Sequence, residues 1–290
     1  MTRITPFFLA LAAALALPAA ASALTGEKEV QRFTSFGGAC ANCELAGRRL
    51  AGAHFIGANF SGASLVGADL RGARFVGSVL AKADLSRADL TDAHMTGANF
   101  SHANLTGARM RDVEASGTVF SSANLSGVDL TDSRALGANF NGATLTGAAF
   151  TDANLQGAVF RNVDARGANF RDARLHATNF SGGRLDRASF RSANLSGAAL
   201  RGGSFRGADF HDADLSHVSL AGADLTGARG LEQSQLNEAC GDAQTKLPRG
   251  LTVRACRGSG IVVKVPPIPP VPALKPAQPG PRYLIIAESF

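Results

Sequence analysis

From Leu45 to Leu225 every fifth residue is Leu, Phe, Met or Ala, for 37 consecutive repeats without an insertion or deletion. Segments such as Ala68-Asp69-Leu70-Arg71-Gly72 and Ala98-Asn99-Phe100-Ser101-His102 show the unit. Two residues before each apolar centre the residue is Ala in 25 of 37 cases, and two after it Gly in 22. No α-helix keeps a stripe at this period, because at 100° per residue a five-residue step drifts around the axis. Extended chain suits it: residues two apart share a face, so centre and preceding small residue point inward together. The remaining two positions must turn the chain, and Gly tolerates tight-turn angles. Composition agrees with a narrow, regular interior: 45% of residues are hydrophobic, but only 7% are aromatic and none is Trp.

This pattern resembles the pentapeptide-repeat family, whose motif is Ala-(Asp or Asn)-Leu-x-x, over about two-thirds of the chain. The resemblance implies an all-β fold, a right-handed quadrilateral β-helix of four repeats per coil, with a short helical C-terminal cap. Nine coils at ~4.8 Å spacing make a rod of roughly 45 Å. Reading the sequence in twenties tests the coil length. One inward column is Phe60, Leu80, Phe100, Phe120, Phe140, Phe160, Phe180, Leu200 and Leu220. Another changes midway, from Leu50, Leu70, Leu90, Met110 and Leu130 to Phe150, Phe170, Phe190 and Phe210. Ala115 and Ala135 lie next to Phe120 and Phe140, which take up the space. Segregation by column supports twenty residues per coil.

The expected organisation is a signal peptide at 1–23, an N-terminal lead-in and cap at 24–43, the β-helix at 44–229, a C-terminal cap at 230–256 and a Pro-rich tail at 257–290. Met1-Thr2-Arg3 is a positive n-region, Pro6 to Leu17 an apolar run, and Ala21-Ser22-Ala23 the expected cleavage site. The run is short for a membrane span, so the chain is expected to be exported to the periplasm or exterior and not to span a membrane after cleavage. An uncleaved signal anchor is the alternative. Eight of the 11 Pro lie between Pro266 and Pro281, a semi-rigid linker ending in Tyr283-Leu284-Ile285-Ile286-Ala287-Glu288-Ser289-Phe290. That last peptide is either a docking strand or a frayed end.

The net charge of +6 falls to +5 without Arg3, and residues 44–229 hold 19 basic against 17 acidic side chains. So even a balance gives no electrostatic case for nucleic acid. All 13 Phe of the repeats fall on the inward position and no Trp or Tyr accompanies them, so no stacking platform for sugar or single strands is expected. His54, His94, His102, His176, His211 and His217 are scattered, and are expected to be isolated surface groups. Neither a metal cluster nor a nucleophile–base pair is suggested, so no cofactor and no enzymatic activity are expected.

One surface column stands out: Asp92, Asp112, Asp132, Asp152, Asp172, Ser192 and Asp212, with Asp69, Asp89, Asp129 and Asp209 on the same face. Successive carboxylates ~4.8 Å apart repel by up to about 1 kcal/mol per pair in water. Either turn chemistry sets the row, each Asp accepting an amide two residues on, or the row docks cations or a basic partner. Arg111, Arg171 and Arg191 in the adjoining track can partly neutralise it.

Solenoid ends need covering. Leu231 to Cys240 is expected to form a short helix, with Leu231, Leu236 and Ala239 over the last coil, and the stretch that follows, from Cys240 to Cys256, resembles the capping tail of exported family members. Four cysteines sit in pairs at opposite ends of the rod, so Cys40–Cys43 and Cys240–Cys256 are the expected disulfides. The second closes a loop worth ~3 kcal/mol. Cys40 and Cys43 fall on inward positions, which favours a structural clasp; a redox or metal role is the alternative. Arg48 also occupies an inward slot, so the first coil is expected to be irregular.

The function expected is a non-catalytic exported scaffold binding an unknown protein or envelope component along a solenoid face, with an end cap as a route to a homodimer. The family's best-known role, a DNA mimic that modulates type II topoisomerases, is one alternative; its acidic rod conflicts with this near-neutral body. A thiol–disulfide protein using Cys40 and Cys43 is the other.

Overall fold

A computed structural model describes residues 38–256; the expected signal peptide and Pro-rich tail lie outside the described residues. Parallel bridges join each outward residue to the one twenty further on, from Ala39↔Asn59 through Asp209↔Arg229. Four sides therefore make one coil, and coils stack in register along a single axis.

The repeat can be followed amide by amide from Asn139 to Ala143. Asn139 donates down to the Thr118 carbonyl (2.9 Å), while Phe140 and Gly142 donate up to Val159 and Arg161 (both 2.8 Å). Ala143 closes the turn onto Phe140 O (2.9 Å). The remaining amide, on Asn141, donates to Asn139 Oδ1 (3.0 Å). All five N–H groups are thus placed, which is what a backbone running past a dry core needs. The same side-chain acceptor recurs at Asn99 for Ser101 (2.9 Å), Asn179 for Ser181 (3.0 Å) and Asp214 for Ser216 (2.9 Å). This explains the Asp or Asn before the apolar centre: it serves the one amide that the coils leave without a partner.

Every residue two after an inward centre, from Asn42 to Gly227, has a positive φ between 54° and 70°. That is the left-handed region a type II turn requires at its third residue, and Gly enters it freely. Ala177 (φ 55°) and Arg187 (φ 61°) occupy it without that freedom. Ala177→Gly is expected to stabilise the rod by about 1 kcal/mol, and Gly107→Ala to cost about as much. A Cβ on Gly107 meets nothing within 4 Å, so its cost is backbone strain alone. Urea unfolding midpoints of the two variants, shifted in opposite directions, are the check.

Inside, the phenylalanines form two ladders. Phe100, Phe120, Phe140, Phe160 and Phe180 stack with centroids 4.7–5.4 Å apart, and Phe150, Phe170, Phe190 and Phe210 with 4.9–5.1 Å. The ladders meet edge to face, as at Phe160 and Phe170 (5.8 Å, 87°). Such contacts add about 0.5–1.5 kcal/mol per pair beyond the area buried. Four buried hydroxyls substitute for Ala on the small inward track, and each finds a carbonyl: Ser78 on Phe55, Thr118 on Met95 (2.7 Å), Ser133 on Leu130 (2.6 Å) and Thr178 on Leu175 (2.7 Å).

Two expectations about the ends need correcting. The first described coil is regular, with bridges at Ala39, Glu44, Arg49 and His54, so Arg48 does not distort it; its side chain is half-buried at the end of the stack. Bridging begins at Ala39, five residues before the boundary expected for the β-helix. At the other end the helix is one turn, α1 (Gln233–Leu236), not a segment reaching Cys240. Cys240–Gly241 is instead a strand, β1, because its backbone continues the coil: Leu220 N–H donates to Cys240 O (2.7 Å) and Cys240 N–H to Val218 O (2.9 Å). β1 pairs in parallel with β2 (Arg254–Ala255).

Candidate interaction faces and the C-terminal cap

Four outer faces are available, each named here by an inward residue of one coil: Phe60, Leu65, Leu70 and Phe75. The Asp row runs up a corner of the Leu70 face. Asp92, Asp112, Asp132, Asp152, Asp172 and Asp212 all have φ of 57–60°, so the row does lie at turn positions. The expected hydrogen bond to an amide two residues on is absent from the row. That role belongs to the Asx residue three positions earlier in each repeat, such as Asp89, whose Oδ1 accepts Thr91 N (3.1 Å). The left-handed backbone, which Asp tolerates, turns the row's carboxylates outward instead. The side chains of Asp92, Asp112, Asp152 and Asp212 are exposed and meet no hydrogen-bond or ion-pair partner among the described residues.

Arginines cross the row. Arg111 reaches Asp132 (3.4 Å) and Asp129 (3.5 Å), Arg171 reaches Asp172 (3.0 Å), and Arg191 reaches Asp209 (3.5 Å). Among the described residues no three His, Cys, Asp or Glu side chains converge as a metal site. The Leu70 face is therefore a surface of mixed charge with isolated carboxylates.

Two histidines expected to be isolated sit beside carboxylates near the C-terminal end. His211 Nδ1 lies 2.5 Å from Asp209, and His217 Nδ1 lies 3.3 Å from Glu238 in the cap. His176 Nδ1 meets Ser196 Oγ (2.9 Å). The first pair follows the two-residue step of the repeat, with His211 N also donating to Asp209 Oδ1 (3.1 Å); spacing along the chain does not reveal the second, since His217 and Glu238 are joined only by the cap's departure from the repeat. A shallow hollow lined by His211, Asp212, Glu232 and Gln235 lies where cap and rod meet. Gly230 (φ 67°) closes its wall, where a Cβ would overlap the His211 ring.

The cap is built from side chains that cover the last coil and occupy its edge. Leu236 and Ala239 are fully buried, and Leu231 packs half-buried against the core. Gln235 Nε2 donates to the Phe210 (2.9 Å) and Ala213 (2.8 Å) carbonyls, and Thr245 Oγ1 to Leu220 O (3.0 Å). Asp242 Oδ1 accepts Gly222 N (2.8 Å), and that bond holds its carboxyl below the ordinary range. Disulfides join Cys240 to Cys256 and Cys40 to Cys43.

Asp224 ties the last coil to the cap, with Arg206 at 2.8 Å and Lys246 at 3.6 Å. Partial burial pushes its pKa up, but hydrogen bonds from Thr226 and Arg206 outweigh that and bring it to about 2, from an ordinary 3.8. A depressed carboxyl stabilises fully above its unfolded pKa and ceases to do so as pH falls through the folded one. Melting temperature should therefore fall between about pH 4 and pH 2, and Asp224→Asn should flatten that part of the profile, measured by circular dichroism.

A parallel coil of four short sides, closed by left-handed corners and filled with Phe and Leu, defines a β-helical solenoid. The chain belongs to the pentapeptide repeat family, whose fold is the right-handed quadrilateral β-helix. Residues 83–160 and 153–229 match the model of the pentapeptide repeat region, and residues 40–77 match that of pentapeptide repeats in eight copies. Among solved structures, HetL, a pentapeptide repeat protein involved in heterocyst differentiation regulation in the cyanobacterium Nostoc sp. strain PCC 7120, is 28% identical; the match covers 72% of this chain and 92% of HetL, with a TM-score of 0.44. QnrB1, a plasmid-mediated fluoroquinolone resistance protein, is 21% identical over 66% of this chain and 89% of its own, with a TM-score of 0.32. A pentapeptide repeat protein of the Arabidopsis thaliana thylakoid lumen is 34% identical over 38% of this chain and 69% of its own, with a TM-score of 0.18. No curated protein matches the sequence.

Proposed function

We propose that this chain is an exported, non-catalytic scaffold that binds a protein or envelope component along a face of the rod. The observation that carries this reading is how the interior is used. Each coil is filled by its own Phe, Leu and Ala, which leaves outward side chains spread over flat faces at a regular spacing. Flat periodic faces suit binding of an extended macromolecular surface more than enclosure of a small substrate. The helical turn α1 and the segment around Cys240 act as the cap that keeps the last coil from pairing with other chains. Export rests on the N-terminal sequence, and two disulfides fit an oxidising compartment. Nothing favours the DNA-mimic alternative, since Arg111, Arg171 and Arg191 interrupt the acidic row that it would use.

The test places a photo-crosslinking residue at Val79, Asn124, Asp152 or Gln156, one per face, in full-length protein expressed in its host. Crosslinks to one protein or envelope species from one face are expected, in a compartment outside the cytoplasm. No crosslink from any of the four faces, or cytoplasmic retention, contradicts the reading. Repeating the experiment without residues 257–290 shows whether the tail contributes.

A further inference from the structure

Charge gathers at one place on the rod in a way that the even overall balance hides. On the Leu65 face, and on the edge of the Phe60 face that adjoins it, the three coils from Ser101 to Gly147 hold no Asp, Glu, Lys or Arg at outward or corner positions. The next three, from Arg161 to Gly207, hold six arginines there: Arg166, Arg184, Arg187 and Arg206 on the face, Arg161 and Arg201 on the edge. Only Asp164 and Asp186 stand among them, so the local net charge is +4.

The carboxylates in and beside this patch are already engaged. Asp164 meets Arg166 (2.7 Å) and Arg184 (3.9 Å), and Asp186 accepts Ser204 Oγ and the Arg206 amide (3.1 Å). One coil on, Asp224 is matched by Arg206 (2.8 Å) and Lys246 (3.6 Å), and Asp242 accepts the Gly222 and Gln244 amides. The side chains of Arg161 and Arg187 meet no hydrogen-bond or ion-pair partner among the described residues, and Arg201 meets only Ser219 Oγ (2.8 Å). All six arginines are exposed. Arg161 and Arg201 are two coils or ~10 Å apart, as are Arg166 and Arg206, with Arg184 and Arg187 in the coil between.

A guanidinium without a carboxylate is ready to take a phosphate through two parallel N–H bonds. Shape narrows the source of that phosphate. The patch is the flat outside of straight, stacked coils and carries no aromatic side chain on which the rings of a polymer could stack. A plane of phosphate headgroups matches it in both shape and charge. We propose that this patch docks the rod on an anionic lipid surface, with Arg161, Arg187 and Arg201 taking the lipid phosphates. The Phe75 face, on the opposite side of the coil, then stays open to a protein partner. The proposal rests on the scaffold reading and names its envelope component and its face.

Co-sedimentation of the full-length protein with vesicles tests it, comparing phosphatidylcholine alone with phosphatidylcholine containing roughly a third phosphatidylglycerol. Binding is expected to the mixed vesicles only, and it should disappear near about 0.5 M salt, where screening acts within a few ångströms. Each cation near such a surface is worth about five-fold in affinity, so Arg161→Gln with Arg187→Gln and Arg201→Gln should weaken binding about a hundred-fold. Lys at the same three positions should keep most of it. Arg74→Gln with Arg134→Gln and Arg174→Gln removes equal charge from the Phe75 face and should leave binding nearly unchanged. Should the triple Gln variant melt early, single Gln changes at Arg161 and Arg187, each about five-fold, take its place. No binding at low salt, equal binding to both vesicles, or equal loss from the two triple variants overturns the docking. Tighter binding to a soluble polyphosphate chain than to the vesicles overturns the choice of a lipid surface. Each of these results leaves the crosslinking test of the scaffold reading intact, and absence of protein crosslinks with patch-dependent vesicle binding retained overturns only the protein partner.

Discussion

Leu145→Asp is expected to unfold the rod, whereas Thr144→Asn, one residue away, is expected to leave it as stable as before. Leu145 is fully buried in the column of Leu125 and Leu105 below it, where no polar group is free to meet a carboxylate. An unpaired charge in such a place costs several kcal/mol, a large part of the 5–15 kcal/mol that holds a typical domain. Thr144 lies outward, on the track where Asn or Asp accepts the amide two residues on. Asn there supplies Thr146 with the acceptor that Asn124 already gives Ser126 (3.1 Å). The change should stay within about 0.5 kcal/mol of the starting stability. Far-UV circular dichroism and a urea titration of both variants separate the outcomes, and equal damage at the two positions would deny the inward–outward alternation.

The second large effect is expected at Phe160, the middle of a ladder. It stacks on Phe140 (4.7 Å) and Phe180 (4.8 Å) and meets Phe150 and Phe170 edge to face. Phe160→Ala removes four ring contacts and opens a cavity that the stacked coils above and below cannot close, so a loss of about 3–5 kcal/mol is expected. Phe160→Leu should cost less than about 1.5 kcal/mol, since Leu80 and Leu200 occupy the same column. Equal losses for Ala and Leu would show that the ladder is not what fills the coil there.

Much of the fold was legible because its contacts are periodic. The inward positions follow from spacing alone, and the coil length from the Phe and Leu columns. Residues such as Ala177 and Arg187 gave no hint that their corners are left-handed, because the stacked coils impose that backbone whatever side chain is present. The Asp row drew attention, but its meaning depended on φ, which no composition argument supplies. The hydrogen-bonding task was carried by the less conspicuous Asn and Asp of the motif. The cap was harder still. Beyond Arg229 there is no period, so the one-turn helix and the return of Cys240 to the coil come from long-range contacts such as Gln235 with Phe210 and Ala213. A docking face leaves still less trace, since it depends on which outward tracks share a side.

The claim beneath all of this is that twenty residues make one coil of a straight stack. Paired spin labels on one outward track measure it directly. Val79 and Val159 are four coils apart, Val79 and Ala199 six, and Val79 and Ser219 seven. Distances of roughly 19, 29 and 34 Å are predicted, each coil adding ~4.8 Å. Distances that do not rise in step with coil number would contradict the four-sided stack.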